Sequence, residues 1–262
     1  MNIFSTIYQT VLYDPLFNAL VFLYNTVAFR NMGVAIILLT LVIRFALYPV
    51  SRKAIQTQRA MQKMQPAINE IREKYKNDKE AQSREMMKVY AEHKMNPLSS
   101  CLPLIVQAVL LIALYHVFES GLNSAGFEHL YPFVTNPGHI DTTFLGFIDL
   151  AARGNIALAI LAGGLQFIQS WMLLRKQKKA SALTPKAEAT KKSPEEMSQT
   201  LSRNMAYLFP FMTIYFGYAL PAGLPLYWIV TTLFAIAQQW LLERADKRKE
   251  AKQKPAEPAA TA

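Results

Sequence analysis

Hydrophobic residues along the chain are gathered into long runs that alternate with charged blocks. A bilayer core about 30 Å thick needs about 20 apolar helical residues. Five runs meet this need or nearly do, and we predict membrane spans at residues 32–51, 98–118, 156–174, 205–220 and 224–242. At about 1.5 Å of rise per residue the fourth span reaches only about 24 Å, so either the bilayer beside it is thin or the span includes residues from its flanks. The pattern predicts an all-α membrane protein of five transmembrane helices.

Residues 1–31 are apolar but interrupted by polar positions. Asp14 and Pro15 break the run, and Gln9, Asn18 and Asn25 are scattered along it. The segment has neither a basic start nor a small-residue cleavage site, so we do not expect a cleaved signal peptide. We predict an extracytoplasmic helix that lies in the membrane interface. A sixth span is the alternative.

Basic residues predict the orientation of the spans. Of the 28 lysines and arginines, 25 lie in the segments 52–97, 175–204 and 243–262, which share one side of a five-span protein. The opposite segment, 119–155, contains only Arg153. By the positive-inside rule the N-terminus lies outside and the C-terminus in the cytoplasm. The net charge of +10 is then explained by cytoplasmic segments and needs no nucleic acid.

The first basic segment, 52–97, has the pattern of a cytoplasmic helical hairpin with a turn at Asn77 and Asp78. Apolar residues recur at helical spacing on its first arm. They are Met61, Met64, Ile68, Ile71 and Tyr75. This face packs on its partner helix or, alternatively, adapts to varied apolar clients. The basic loop 175–204 has the composition of a disordered cytoplasmic linker. The basic tail 243–262 is solvated, contacts anionic lipid or contacts ribosomal RNA.

Catalytic and metal-binding patterns are missing from the sequence. Its one cysteine, Cys101, and four scattered histidines do not have metal-ligand spacing. The chain contains no GxxxxGK[ST] motif for ATP and no paired nucleophile and base. We therefore expect a protein that is not an enzyme and that uses no cofactor and no metal.

Polar residues within the predicted spans are the candidates for function. Arg44 lies in the first span, with Thr40 and Tyr48 one turn away on the same face. The other candidates are Gln107, Gln166, Gln169, Trp228 and Thr231. Arg44 either snorkels to the headgroups or lines a hydrated groove, and the other residues either join helices by hydrogen bonds or line the same groove. Because no acidic residue lies mid-span, Arg44 is open to the carboxylate of a partner.

Several motifs together resemble the YidC/Oxa/Alb membrane protein insertases over most of the chain. They are LLTLVIRFALYPVS around Arg44, NPLSSCLPLIVQ ending at Gln107, ALYHVF, LPAGLPLYWI and the hairpin segment KMQPAINEIREKY. Ser100 and Val109 depart from the family pattern. We expect a short bacterial member without a large periplasmic domain.

The resemblance implies five spans around a hydrophilic groove that is open to the cytoplasm and to lipid. Arg44 matches the groove arginine of the family, and Gln169 and Trp228 match polar groove positions. The implied function is an insertase and chaperone in the bacterial inner membrane. It moves hydrophilic tails through the groove and releases client helices sideways. Partners are nascent membrane proteins and the lipid bilayer, with a Sec translocon and the ribosome as further candidates, and no DNA.

Three other functions are weighed against this one. A small transporter or channel would use Arg44 as an anion site, and it would be favoured by internal repeats, which the sequence does not show. An intramembrane enzyme would need the catalytic groups that are missing. A factor acting only through its hairpin and tail would tolerate loss of Arg44.

Overall fold

The computed structural model describes residues 3–93, 102–122, 126–181 and 208–253. Within these ranges the chain is mostly helical. The helices are α1 (Ile3–Tyr8), α2 (Asp14–Thr26), α3 (Met32–Ala46), α4 (Tyr48–Lys74) and α5 (Lys79–Glu92). They continue with α6 (Leu102–Leu122), α7 (Ile156–Ser181), α8 (Leu208–Ala219) and α9 (Gly223–Gln253). Two short strands, β1 (Thr143–Phe144) and β2 (Ile148–Asp149), pair between α6 and α7.

The N-terminal segment stays helical through Pro15, where the sequence predicts an interruption. A π-helical turn, Gln9–Tyr13, joins α1 to α2 immediately before Asp14. Pro15 cannot donate to the carbonyl four residues earlier, and a π turn accommodates this change within a continuous helix. One face of α2 is buried through Phe17 and Leu20. The segment therefore packs as part of the fold, against α3 and α6.

The first predicted span, residues 32–51, is divided by a sharp bend. The side chain of Asn31 caps the start of α3 by accepting from the N–H of Val34 at 3.1 Å. The helix ends at Ala46, and α4 leaves it at an angle of 62°. Pro49 lies in the first turn of α4, where a missing N–H costs nothing. The hairpin arm thus begins at Tyr48, inside the predicted span.

The predicted hairpin is formed by α4 and α5. The carboxylate of Asp78 caps α5 by accepting from the N–H of Ala81 at 2.9 Å, at the turn the sequence indicates. Met64 and Ile68 are buried. Because α4 packs against both α5 and α7, this part of the Met-containing face is already covered. The interpretation of that face as internal packing therefore holds for these two residues.

Hydrogen bonds from polar side chains of α2 hold segment 126–155 against that helix. The amide of Asn18 donates to the carbonyl of His129 at 3.0 Å and accepts from the N–H of Tyr131 at 2.6 Å. The hydroxyl of Tyr24 accepts from the N–H of Asp141 at 3.0 Å. Because Asn18 is almost fully buried, these bonds satisfy groups that would be costly to leave unpaired. They tie residues more than 100 positions apart.

Backbone hydrogen bonds hold the first residues of α7 and α9 beside each other, so the two helices begin at the same height in the bundle. The N–H of Gly154 donates to the carbonyl of Tyr218 at 2.9 Å. The N–H groups of Ala222 and Gly223 donate to the carbonyls of Ala152 and Leu150 at 2.9 and 3.0 Å. The chain entering α7 is thereby bonded to the turn between α8 and α9. From this common level α7 and α9 pack side by side.

Helices α7 and α8 approach closely where α7 has a glycine. A Cβ atom at Gly163 would overlap the side chain of Ile214 and lie 3.0 Å from the carbonyl oxygen of Pro210. The adjacent Gly164 faces open space, with nothing within 4 Å of its Cβ position. Small residues that allow such approach are typical of helix packing in membranes.

Large apolar side chains lie on the surface of several helices, as expected where lipid replaces water. They include Phe45, Ile112, Ile160, Phe211 and Tyr215. Among the described residues, Gly223–Ala245 is long and apolar enough to cross a bilayer. The bent pair Met32–Ala46 and Tyr48–Met61 also qualifies if it is one span. Shorter apolar helices are Ile105–Ser120, Ile156–Met172 and Leu208–Ala219, so the count of five spans stays a prediction.

We predict that Gly163→Ala destabilises the protein and that Gly164→Ala does not. The added methyl group at residue 163 must displace Ile214 or the α8 backbone, at a cost of about 1–3 kcal/mol. The same change at residue 164 meets no atom and gains helix propensity of up to about 1 kcal/mol. The free energy of unfolding in mixed micelles measures both. Equal values for the two variants would contradict the close packing of α7 on α8.

Candidate functional site

The candidate site is built around Arg44, which lies in the last turn of α3. Its Nη2 atom donates to the Oε1 atom of Gln107 on α6 at 2.7 Å. The Nε2 atom of Gln107 in turn donates to the hydroxyl of Tyr227 on α9 at 3.0 Å. One chain of hydrogen bonds therefore joins three helices and orients the guanidinium through a neutral amide.

Tyr227 is a site residue that the sequence analysis missed. Its ring is almost fully buried in the core, while its hydroxyl reaches the amide of Gln107. The polar stripe predicted on the fifth span begins at Trp228. Tyr227 lies one turn before Thr231, so the four-residue spacing of the stripe would have found it.

No carboxylate pairs with Arg44 within the residues that the structure describes. The side chain is partly buried. A cation in such surroundings is normally paired or open to a hydrated space. Its hydrogen-bond partner Gln107 is uncharged, so the positive charge is oriented without being neutralised. The site is thus able to attract an anionic group that approaches from outside the bundle.

A second polar contact lies between α7 and α9. The hydroxyl of Thr232 and the Oε1 atom of Gln166 are 3.5 Å apart, at the limit of a hydrogen bond. Gln169 lies on the same helix as Gln166 and is partly exposed. The hydroxyl of Thr231 is buried and has no hydrogen-bond partner among the described residues. Of these predicted site residues, Gln169 and Thr231 keep unused hydrogen-bonding groups.

A third polar contact joins the stem of the hairpin to α9. The Nε2 atom of Gln238 donates to the hydroxyl of Ser51 at 2.9 Å. One turn further along α9, a carboxylate oxygen of Glu243 lies 4.0 Å from Arg59 of α4. These contacts fix the base of the hairpin beside the last turns of the predicted fifth span.

The remaining predicted site residues are placed in different ways. Thr40 is buried, and its hydroxyl donates to the carbonyl of Ile36 at 2.7 Å, so it is already used within α3. Tyr48 begins α4 at the bend and is partly buried. Trp228 is partly buried and packs against the hydrophobic core. The structure brings Arg44 and Gln107 into direct contact and distributes the other candidates over α3, α4, α7 and α9.

This fold and site define a class: helical membrane proteins with a polar, cationic centre between apolar helices. The model of the 60Kd inner membrane protein family matches residues 22–250. A membrane protein insertase YidC from Fusobacterium nucleatum is 32% identical over 236 residues, which are 89% of this chain and 98% of that relative. A relative of the same name from Geobacter sulfurreducens is 32% identical over 244 residues, and the match covers 92% of this chain and 39% of the relative.

A solved structure supports the same assignment. The crystal structure of an active YidC insertase with its first transmembrane domain resolved has a TM-score of 0.54 to this chain, at 25% identity. The match covers 89% of this chain and 46% of that one. The chain therefore belongs to the 60Kd inner membrane protein family, the family of the YidC membrane protein insertases.

Membership of this family tests several of the predictions made from the sequence. It confirms the predicted family, the insertase function and the prediction that the protein is not an enzyme. It also confirms the inner membrane as the location and membrane proteins as clients. The orientation, the contact with a Sec translocon and the contact with the ribosome stay predictions.

We predict that the hydroxyl of Tyr227 stabilises the protein only while Gln107 is present. Tyr227→Phe keeps the buried ring and removes the acceptor for the amide, at a cost of about 1 kcal/mol. In a Gln107→Leu background the same change should cost much less, because the hydrogen-bonded partner is gone. Unfolding free energies of the two single variants and the double variant form a double-mutant cycle that measures this coupling.

Tyr215→Phe is the matched control, since Tyr215 is exposed on α8 and should change the stability by less than about 0.5 kcal/mol. If the stability losses of Gln107→Leu and Tyr227→Phe add up to the loss in the double variant, Gln107 and Tyr227 act independently, and the predicted coupling is wrong.

Proposed function

We propose that the insertase receives the hydrophilic tail of a client in a groove centred on Arg44 and passes the apolar helix of the client sideways into lipid. The observation that carries this proposal is the oriented, unneutralised charge of Arg44. Its guanidinium is held by Gln107, which is itself hydrogen-bonded to Tyr227, and it has no carboxylate partner among the described residues. A client carboxylate supplies the missing counter-charge.

Electrostatics favours this position over a surface arginine. Two unit charges 4 Å apart attract by about 4 kcal/mol at an effective dielectric constant of about 20, and by about 1 kcal/mol in water. Exposed ion pairs contribute about 0–1 kcal/mol. Partial burial of Arg44 therefore makes it a stronger attractor for an acidic tail than the many exposed basic residues. The tail also loses part of its hydration, which the polar groups of the groove must replace.

The polar candidates contribute to the groove unequally. Gln107 bridges Arg44 and Tyr227, and Gln166 lies within hydrogen-bond reach of Thr232. These side chains already join helices, which is the alternative interpretation of polar residues in spans. In the proposed groove, Gln169, Tyr48, Trp228 and Thr231 line the path beside Arg44. The carbonyl and amide of the partly exposed Gln169 offer hydrogen bonds to a client backbone, whereas the hydroxyl of Thr231 is buried in this arrangement of the helices.

The proposed arrangement in the membrane is five spans with the N-terminus outside and the C-terminus in the cytoplasm. The distribution of basic residues supports this orientation. The N-terminal helix lies at the outer interface, because Asn18 and Tyr24 bind it to segment 126–155. The predicted fourth span, residues 205–220, reaches only about 24 Å at about 1.5 Å per residue. A span this short supports local thinning of the bilayer, which shortens the path of a client tail.

We predict that Arg44→Ala sharply reduces insertion of a client with an acidic tail. Loss of an attraction of 1.4 kcal/mol or more corresponds to at least about a tenfold decrease in the insertion rate. Arg44→Lys should retain part of the activity, because it keeps the charge and loses the planar fork. The measurement is protease protection of the client tail in proteoliposomes, with lipid-only vesicles as the baseline.

Two controls make this test specific. Arg153→Ala removes an exposed basic residue from the opposite segment and should insert the client at the wild-type rate. A client whose tail has Asn and Gln in place of its acidic residues should respond little to Arg44→Ala. Equal insertion of the acidic client by wild type and Arg44→Ala would remove Arg44 from the mechanism. Failure of the wild type itself would contradict unaided insertion.

We predict opposite accessibility for the hairpin turn and for segment 126–155. Asn77→Cys and Asn136→Cys introduce one thiol each at exposed positions, in a Cys101→Ser background. In intact cells a membrane-impermeant maleimide should label residue 136 and leave residue 77 unlabelled. Inverted vesicles should give the reverse. Labelling of residue 77 in intact cells would contradict the proposed orientation.

A further inference from the structure

Two tryptophan–arginine pairs lie on the surface of α7 and α9. The guanidinium of Arg175 stacks over the ring of Trp171, 4.4 Å from its centroid. The guanidinium of Arg244 stacks over the ring of Trp240 at 3.5 Å. Both rings are 45% exposed, and both arginines are exposed. The same four-residue spacing thus produces the same cation–π contact on two neighbouring helices.

The two pairs lie at a common depth. The backbone bonds around Gly154 and Ala222 hold the starts of α7 and α9 at one level. From Ile156 to Trp171 the rise is about 22 Å, and from Gly223 to Trp240 it is about 26 Å, at about 1.5 Å per residue. With the starts of both helices at one boundary of a hydrocarbon core about 30 Å thick, the two tryptophans lie about 4–8 Å from the opposite boundary, the region where tryptophan is enriched. The pairs therefore lie where the acyl chains end and the headgroups begin.

The chemistry of the stacked arginines favours a phosphate group as their ligand. Stacking on the ring occupies one face of the guanidinium and leaves the N–H groups on its edge free. A fixed, planar set of donors matches two oxygens of a phosphate. Within the described part of the chain, neither Arg175 nor Arg244 has a hydrogen bond or a carboxylate partner. Arg44, in contrast, is turned inward to Gln107.

We propose that the pairs Trp171–Arg175 and Trp240–Arg244 bind the phosphate headgroups of anionic lipids at the cytoplasmic ends of α7 and α9. The tryptophan ring lies beside the first acyl carbons, and the arginine contacts the phosphate above them. The choice of leaflet rests on the proposed orientation; the sites themselves need only the bilayer. Two such contacts fix the depth of the helices that carry Gln166 and Thr232.

The test measures which lipid surrounds Trp171 and Trp240, in a Trp228→Phe background and without any client. Vesicles contain phosphatidylglycerol and phosphatidylcholine in equal amounts, and one or the other is brominated near the carbonyl end of its chains. Bromine quenches tryptophan fluorescence on contact. For wild type we expect quenching that corresponds to about fivefold enrichment of phosphatidylglycerol, the effect of about one basic side chain at an anionic surface. Arg175→Gln combined with Arg244→Gln should bring the two lipids to equal quenching.

Arg248→Gln is the matched control, because Arg248 is exposed one turn beyond Arg244 on the same helix. The enrichment should survive this change. Equal quenching by the two brominated lipids in wild type would overturn the proposal. An equal loss of enrichment in Arg248→Gln and in the variant that combines Arg175→Gln with Arg244→Gln would also overturn the proposal. General attraction of anionic lipid to basic residues would then explain the enrichment. Failure here leaves the insertion test of Arg44 unaffected, so the two proposals are separable.

Discussion

The arrangement of α3, α6 and α9 depends on how one charge is held inside an apolar bundle. The guanidinium of Arg44 keeps its proton under all physiological conditions, so it must find polar contacts. Gln107 supplies an acceptor at 2.7 Å, and the hydroxyl of Tyr227 at 3.0 Å fixes the other end of the same amide. Each group comes from a different helix, so the three helices must meet at one level. An uncharged partner orients the cation without cancelling it, which is the feature on which the proposed attraction of a client carboxylate depends.

Helix α9 is the common partner of the bundle. Its polar residues contact a different helix at each level: Tyr227 contacts α6, Thr232 approaches α7, and Gln238 binds Ser51 of α4. Much of its polar stripe is therefore used to hold the helices together. The polar groups left for a client are few and separate, which suits a protein that must accept many sequences without binding any of them tightly.

The sequence predicts the helices better than their contacts. Hydrophobic runs and the capping residues Asn31 and Asp78 are local signals, and the structure has helices that start at both. The bend after Ala46 was missed because Pro49 is equally compatible with the end of a span and the first turn of a new helix. The bond between Ser51 and Gln238 joins residues 187 positions apart. Periodicity shows which face of a helix is polar, but it does not show which other helix that face meets.

The bend at Leu47 places the charge where the hairpin leaves the bundle. Arg44 lies in the last turn of α3, and four residues later α4 begins the arm that packs against α7. A client that first meets the hairpin is then close to Arg44. Attraction to Arg44 of about 4 kcal/mol is small beside the burial of a client helix, where each large apolar side chain contributes about 1.5–3 kcal/mol. In the proposed mechanism, burial in lipid therefore drives insertion, and Arg44 acts on the barrier by stabilising the polar tail while it is between two aqueous phases.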